Sequence, residues 1–262
     1  MSSRRGGMAH GQAVIERIRR ISAGVQRLEL AVEAAQQAVS GGQFFLVRTT
    51  STYEPYLREA WLPVGVRDGA VIIERPTRYQ YAPNQVVDVL GPLGKPFPLR
   101  SAARTLLLIA YEATPAIFLL MAHSALERRM AIALALIGQA RHYPLEGLPS
   151  AFEVTRADHY EMWRERDDQL AWADQVFIAA PPPYDAPAYL RLAQDAERVR
   201  HAVGSEWLYG VFQPPMPCGV GACQACLVRL QGGEEAPACT EGMAFDLTRV
   251  NLLQNLPDST GV

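Results

Sequence analysis

Apolar and polar residues alternate with a period of two through roughly the first hundred positions. The segments "QRLELAVEA", "QFFLVRTT", "AVIIERP" and "QVVDVLG" are short runs of β-branched and aliphatic residues, separated by Gly, Pro and Asn. A strand with one apolar and one polar face packs one side on a core and shows the other to water, which predicts a small antiparallel β-barrel or sandwich over residues 1–100. From about residue 104 the apolar runs become continuous. "TLLLIA", "MAIALALIG" and "QVFIAAPPP", with "AFEVTRA" among them, read as strands buried on both faces, and "PAIFLLMAHSALERR" reads as a helix opened by Pro115. Alternating strands and helices predict a parallel α/β domain over residues 101–204. The last part, 205–262, runs through "SEWLYGVFQPPMP" into a cluster of cysteines and a short tail, and the chain shows no internal repeat and no long low-complexity segment.

Length and composition add bounds to this picture. The 262 residues are 49% hydrophobic, enough for a sizeable core, and the formal net charge of −2 gives no electrostatic reason to expect nucleic acid or an anionic membrane as partner. Lys95 is the only lysine beside many arginines, a bias that carries no function here. The opening "MSSRRGGMAHGQ" has no apolar run behind its arginines and does not read as a secretory leader. The most apolar window, "TLLLIAYEATPAIFLLMA", is interrupted by Glu112 and Pro115 and falls short of the ~20 apolar residues of a membrane helix. The expectation is a cytoplasmic protein, in a compartment where thiols stay reduced and clustered cysteines bind metal rather than form disulfides.

All four cysteines lie in one segment, "PCGVGACQACLVRL" followed by "APAC", with the spacing Cys218-x4-Cys223-x2-Cys226-x12-Cys239. Structural zinc sites usually take two short pairs of ligands, whereas here three come from one loop and one from farther on. A C-x4-C-x2-C run with a distant fourth cysteine is the way plant-type ferredoxins hold a [2Fe–2S] cluster. The fillers Gly219, Gly221, Ala222 and Ala225 are small, so the backbone can wrap an inorganic core and turn its N–H groups to the sulfurs. Zinc stays open as a rival, and a "CQAC" redox dithiol lacks the thioredoxin-like context it would need.

The order of β domain, α/β domain and "MPCGVGACQACLVRL…C", together with "DVLGPLGKPFPL", resembles the electron-transfer subunit of heterotetrameric dihydroorotate dehydrogenases, a branch of the ferredoxin-reductase-like flavoproteins. The resemblance implies an N-terminal FAD-binding β-barrel, a Rossmann-like NAD-binding domain and a small C-terminal [2Fe–2S] domain. It also implies a partner, a flavin-containing catalytic dehydrogenase subunit to which the cluster passes electrons. Cys218, Cys223, Cys226 and Cys239 carry over as the cluster ligands. Of the FAD site, Arg58 and the "GPLG" turn (Gly91, Leu93, Gly94) carry over, although Gly and Pro form such turns for conformational reasons alone. Elsewhere the chain departs from the pattern. Glu59, Ala60 and Leu62 stand where Arg, Pro and Ser are expected, and "ERPTRYQYAPNQ" lacks a glycine where a Gly-Thr turn would receive a pyrophosphate. FAD is therefore an open question. After "TLLLIA" the residues Tyr111, Glu112, Ala113 and Thr114 replace a glycine-rich loop, and "IAAPPP" puts Ala179 or Ala180 in place of a nicotinamide-facing cysteine, which argues against NAD(P).

His123 has no carboxylate partner nearby in sequence and reads as structural, and the chain shows no Ser-His-Asp order, no paired catalytic carboxylates and no P-loop. The expected function is electron relay through a [2Fe–2S] cluster between a flavin or other reductant and a partner dehydrogenase. The alternatives are a complete NADH-oxidising FAD/[2Fe–2S] reductase and a non-enzymatic docking protein with a structural metal.

Overall fold

The computed structural model describes residues 9–49 and 57–256. The segment preceding Arg58 and the N-terminal residues read above for a leader lie outside that range, as do the last six.

Seven antiparallel strands make the first unit: β1 (Ala9–Arg20), β2 (Val25–Ala31), β3 (Phe44–Arg48), β4 (Glu59–Trp61), β5 (Pro63–Arg67), β6 (Ala70–Pro76) and β7 (Val86–Leu93), in the order β4-β3-β7-β1-β2-β6-β5. A four-residue helix α1 (Ala34–Gln37) joins β2 to β3. The edge strands β4 and β5 are consecutive in the chain, separated by Leu62 alone, so the sheet curls almost to closure and neither edge is left long and open. Period-two alternation sets the register. In β2 every second residue is buried, with Leu28 and Leu30 meeting Phe45, Val47, Trp61, Val71, Ile73, Val87 and Val89 inside the barrel.

The second unit is a six-stranded sheet in the order β10-β9-β8-β11-β12-β15. Strands β8 (Thr105–Tyr111), β9 (Ala131–Ile137), β10 (Phe152–Ala157), β11 (Gln175–Ala179) and β12 (Leu208–Val211) are parallel, and β15 (Ala244–Asp246) closes one edge antiparallel. Helices α2 (Ala116–Glu127), α3 (Arg166–Trp172) and α4 (Asp185–Arg200) complete the domain. The continuous runs in β8, β9 and β11 are buried throughout their middles, as strands covered on both faces must be. The strand order reverses between β8 and β11, which places the loops after their C-terminal ends where α/β sheets of this kind bind ligands.

The expected boundary at residue 204 falls inside this sheet. Strand β12, which the sequence suggests only as a lead into the cysteines, is the fifth parallel strand, and β15 returns from beyond the cysteines to pair with it. Between them lie the cysteine loop, the hairpin β13 (Leu227–Arg229) with β14 (Glu235–Pro237), and the short helix α5 (Ala238–Glu241). The cysteine segment is thus an insertion tied to the α/β sheet at both ends. Among the described residues no helix is long and apolar enough to cross a membrane.

Candidate iron–sulfur centre and flavin cleft

Two local devices bring the four cysteines together. From Cys218 to Cys226 the chain makes a tight loop with left-handed backbone at Gly219 (φ +68°), Gly221 (φ +75°) and Gln224 (φ +59°). A Cβ at Gly219 would stand 2.6 Å from Leu93 Cδ1 and 2.9 Å from Leu46 Cδ1, so this position seats the loop directly on strands β7 and β3 of the barrel. The β13–β14 hairpin then returns the chain, pairing Leu227 with Pro237, and the Ala238 amide donates to the Cys226 carbonyl at 2.9 Å. That contact carries Cys239, in the first turn of α5, up to Cys226.

None of the four thiols is in a disulfide. Cys218 lies beside Cys223 and Cys239 beside Cys226, with Cys218 also near enough to Cys239 to act on its charge. The first pair lies toward the surface, with Cys223 exposed, while Cys226 and Cys239 are 0% and 1% exposed. Backbone N–H groups point at the sulfurs. Those of Val220, Cys223 and Ala222 donate to Cys218 and bring its thiol down to about 6, and Gly221 N donates to Cys239 Sγ at 3.2 Å. Burial pushes the Cys239 thiol up to about 12. Four thiols in one short segment, with amide N–H groups turned toward them, are a donor set able to hold a metal centre.

The "GPLG" turn lies against this centre. Gly91 (φ +147°) is in close contact with Phe45, since a Cβ there would come within 2.7 Å of its ring, and Leu93 is the side chain beneath Gly219. Gly94 has the Cys239 carbonyl 3.7 Å from where its Cβ would be, and Lys95 makes an ion pair with Glu241. These residues pack the barrel against the cysteine segment. Arg58 is elsewhere: its guanidinium pairs with Asp88, which also meets His10 Nε2 at 3.0 Å. Burial works to raise the Asp88 carboxyl, but the bonds from His10 and Arg58 prevail and hold it below its ordinary range. Arg58 is thus tied to β7, the strand that runs into the turn.

The cleft between barrel and α/β domain contains two adjoining cavities that share Gly24, Val25 and Thr114. The inner one, about 190 Å³, is lined by apolar groups of Ala60, Leu62, Val25, Pro76 and Ile117 together with Glu74 and Arg75. Ala60 and Leu62, which replace the expected Pro and Ser, are therefore cleft-lining residues. Glu59 pairs with Arg75, whose guanidinium lies 4.8 Å from the Trp61 ring centre and 4.9 Å from that of Tyr79. The outer cavity, about 440 Å³, reaches the ends of β8 and β9. There Glu112 adopts φ +53° and its Oε2 accepts from the Gln139 amide at 2.9 Å. The carboxylate lies so close over Gly138 that a Cβ there would be 2.0 Å from Glu112 Oε1. A backbone donor at the ligand-binding end of the sheet is thus satisfied by the chain's own carboxylate. His123 stands on α2, where desolvation, with the nearby charge of Arg27, lowers its pKa.

One network crosses the cleft without a signal in the sequence. Arg27 Nε and Tyr143 OH both donate to Glu74 Oε1, at 2.8 and 2.6 Å, and Arg27 Nη2 donates to the Gly147 carbonyl at 2.8 Å. Glu74 follows Ile73 in strict alternation and so points out of the barrel. Only the docking of the second domain buries it, leaving its side chain 5% exposed.

Comparison with known proteins places this geometry. The family model for the iron–sulfur cluster binding domain of dihydroorotate dehydrogenase B matches residues 213–251, the span that contains all four cysteines. The electron transfer subunit of dihydroorotate dehydrogenase B (NAD(+)) from Geobacillus sp. (strain WCH70) is 25% identical over 272 residues, covering 94% of this chain and 100% of that one. The chain is thus similar to the family of dihydroorotate dehydrogenase B electron-transfer subunits, its cysteine segment matching that family's iron–sulfur domain. Solved structures share the ferredoxin-reductase-like fold of the family. A chain of the NADH-dependent reduced ferredoxin-NADP oxidoreductase has a TM-score of 0.72 at 18% identity, covering 93% of this chain and 92% of that one. Phthalate dioxygenase reductase has a TM-score of 0.56 at 12% identity, with 87% and 88% covered.

Proposed function

We propose that this chain is the electron-carrying subunit of a two-component dehydrogenase. It holds a [2Fe–2S] cluster on Cys218, Cys223, Cys226 and Cys239 and relays single electrons between a flavin in its own cleft and a flavin-containing catalytic subunit. The observation that carries this reading is the gathering of all four thiols in one segment seated on the barrel, with the Gly221 amide donating to Cys239 Sγ. A cluster so held accepts one electron at a time, and FAD, when bound, supplies the exchange between two-electron and one-electron chemistry. The protein's part is to seat the loop on the barrel through Gly219, to bury the inner pair, and to leave the outer pair toward the surface where a partner can approach.

For the flavin ring the inner cavity is apolar and bounded by both domains, and with the outer cleft it comes within the usual range of ligand sites. For a nicotinamide dinucleotide the Glu112 carboxylate is an obstacle. An incoming pyrophosphate would meet like charge and find the Gln139 amide already engaged. The reductant is therefore not NADH or NADPH bound in the manner of the family, and electrons enter from or leave to the partner subunit. Anaerobic titration tests this reading. Dithionite is expected to bleach the visible bands of the purified protein, whereas excess NADH leaves them unchanged. Full bleaching by NADH at stoichiometric amounts would restore the complete reductase.

A further inference from the structure

At the amino-terminal end of the parallel sheet, carboxylates and guanidiniums that make no ion pair among the described residues flank Trp172, which is 40% exposed. Helix α3 sets the acidic side. Glu165 at its N-cap, Asp168, Gln169 and Trp172 recur at helical spacing, and together they line a cavity of about 300 Å³ with Glu153 of β10 and Ala133, its cross-strand partner in β9. The basic side begins where α3 ends. The Trp172 carbonyl accepts from Thr105 Oγ1 at 3.0 Å, and the carbonyl of Arg104, the residue before Thr105, accepts from the Ala131 amide at 2.9 Å. Arg128 and Arg129 lie just before Ala131, in the turn from α2 into β9, and all three arginines are exposed. The Asp174 carboxylate beside them is occupied by the Arg104 and Thr105 amides, and Glu127 shares a helix face with His123.

Other exposed arginines are matched within the chain, Arg67 by Glu29, Arg191 by Glu161 and Arg198 by Asp167. Here both signs stand unmatched side by side. A purely acidic or purely basic partner would meet only half of such a surface. A second copy meets all of it, because a two-fold axis close to Trp172 sets the arginines of one protomer over the carboxylates of the other and, by symmetry, the reverse. Tryptophan and arginine are also the residues on which interfaces concentrate their binding energy.

We propose that this end of the α/β domain is a two-fold interface between copies of this chain, with Trp172 at its centre and Arg104, Arg128 and Arg129 of each protomer facing Glu153, Glu165 and Asp168 of the other. The outer cavity of the cleft lies at the opposite, carboxyl ends of β8 and β9, so the dimer leaves it open and does not depend on what binds there.

Sedimentation velocity on the full chain with its cluster intact tests the assembly. Wild-type protein is expected to dimerise at low salt and to dissociate as salt rises, since exposed charge pairs are screened. Arg104→Glu with Arg129→Glu makes the surface predominantly acidic, and Glu165→Arg with Asp168→Arg makes it predominantly basic. Each double variant is expected to dimerise about 100-fold more weakly, because like charges then face each other on both sides of the axis. An equimolar mixture of the two double variants is expected to recover the dimer as a heterodimer. Thermal melts and the cluster's absorption establish that each variant is folded. A wild type that stays monomeric at every salt concentration, double variants that dimerise like wild type, or a mixture that stays monomeric would overturn the proposal. Binding of monomeric wild type to heparin, lost only on reversal of the arginines, would assign them to a polyanion and overturn the second copy as their partner.

Discussion

Replacing Gly219 by alanine places one methyl group where the structure has least room for it. At φ +68° an L-residue costs about 1–2 kcal/mol relative to glycine. The new Cβ would also stand 2.6 Å from Leu93 Cδ1 and 2.9 Å from Leu46 Cδ1, both on buried side chains. Overpacking of this kind costs about 1–3 kcal/mol more. Gly232 supplies the control. It has φ +79° but nothing within 4 Å of the place a Cβ would take, so Gly232→Ala carries the backbone cost alone. The packing share is thus the difference between the two variants, about 1–3 kcal/mol. In thermal unfolding that corresponds to a melting temperature lower by roughly 2–12 °C for Gly219→Ala than for Gly232→Ala. Because the displaced loop carries Cys218 and Cys223, iron content is expected to fall in the first variant and to stay at the wild-type level in the second. A Leu93→Ala background opens the space and should shrink the extra cost of Gly219→Ala, a coupling that a double-mutant cycle reads directly. Equal melting temperatures and equal iron in the two single variants, with no coupling to Leu93, would refute the claim that the barrel forms the seat of the cluster loop.

Three further outcomes are expected. Cys223→Ser should abolish the cluster, read as loss of iron and acid-labile sulfide from folded protein; normal iron content would remove Cys223 from the ligand set. Arg27→Met leaves the buried Glu74 carboxylate with Tyr143 as its only donor and should lower unfolding free energy by about 3 kcal/mol in urea titrations, a loss below about 1 kcal/mol arguing that the interdomain network contributes little. Asp174 accepts the amides of Arg104 and Thr105 at 2.7 and 3.0 Å, and these bonds hold its carboxyl below the ordinary range. A carboxyl lowered in the folded state stabilises the fold above its unfolded pKa and loses that contribution as pH falls. Asp174→Asn is therefore expected to melt earlier than wild type at pH 7, with the gap closing as pH drops below about 4; a gap independent of pH would contradict the assignment.

Much of this was legible in the sequence where a residue's own chemistry dictates its surroundings. Period-two alternation in "QRLELAVEA" and "AVIIERP" places Leu28, Leu30, Val71 and Ile73 inside the barrel, as observed. Continuous apolar runs mark β8, β9 and β11 as parallel strands covered on both faces. The cysteine spacing needs no tertiary context to suggest an iron–sulfur loop. What stayed hidden depends on contacts distant in sequence. "EWLYGVF" is too short to show that β12 continues the parallel sheet, or that β15 returns to cover it. The "GPLG" glycines read equally as a flavin turn or as a packing turn, and the structure uses them where barrel and cysteine segment meet. Glu112 signals a lost glycine loop, but its hold on the Gln139 amide depends on where the end of β9 lies. Glu74 looks like a solvent-facing residue until a second domain covers it.

The central claim, a two-iron cluster on four cysteines in an electron-transfer subunit, is tested most directly by purifying the protein without oxygen and measuring iron, acid-labile sulfide and zinc per chain alongside its visible spectrum. Two irons and two sulfides, with broad visible bands that persist after heat-released flavin is removed, are the predicted result. A colourless protein with one zinc and no sulfide would contradict it.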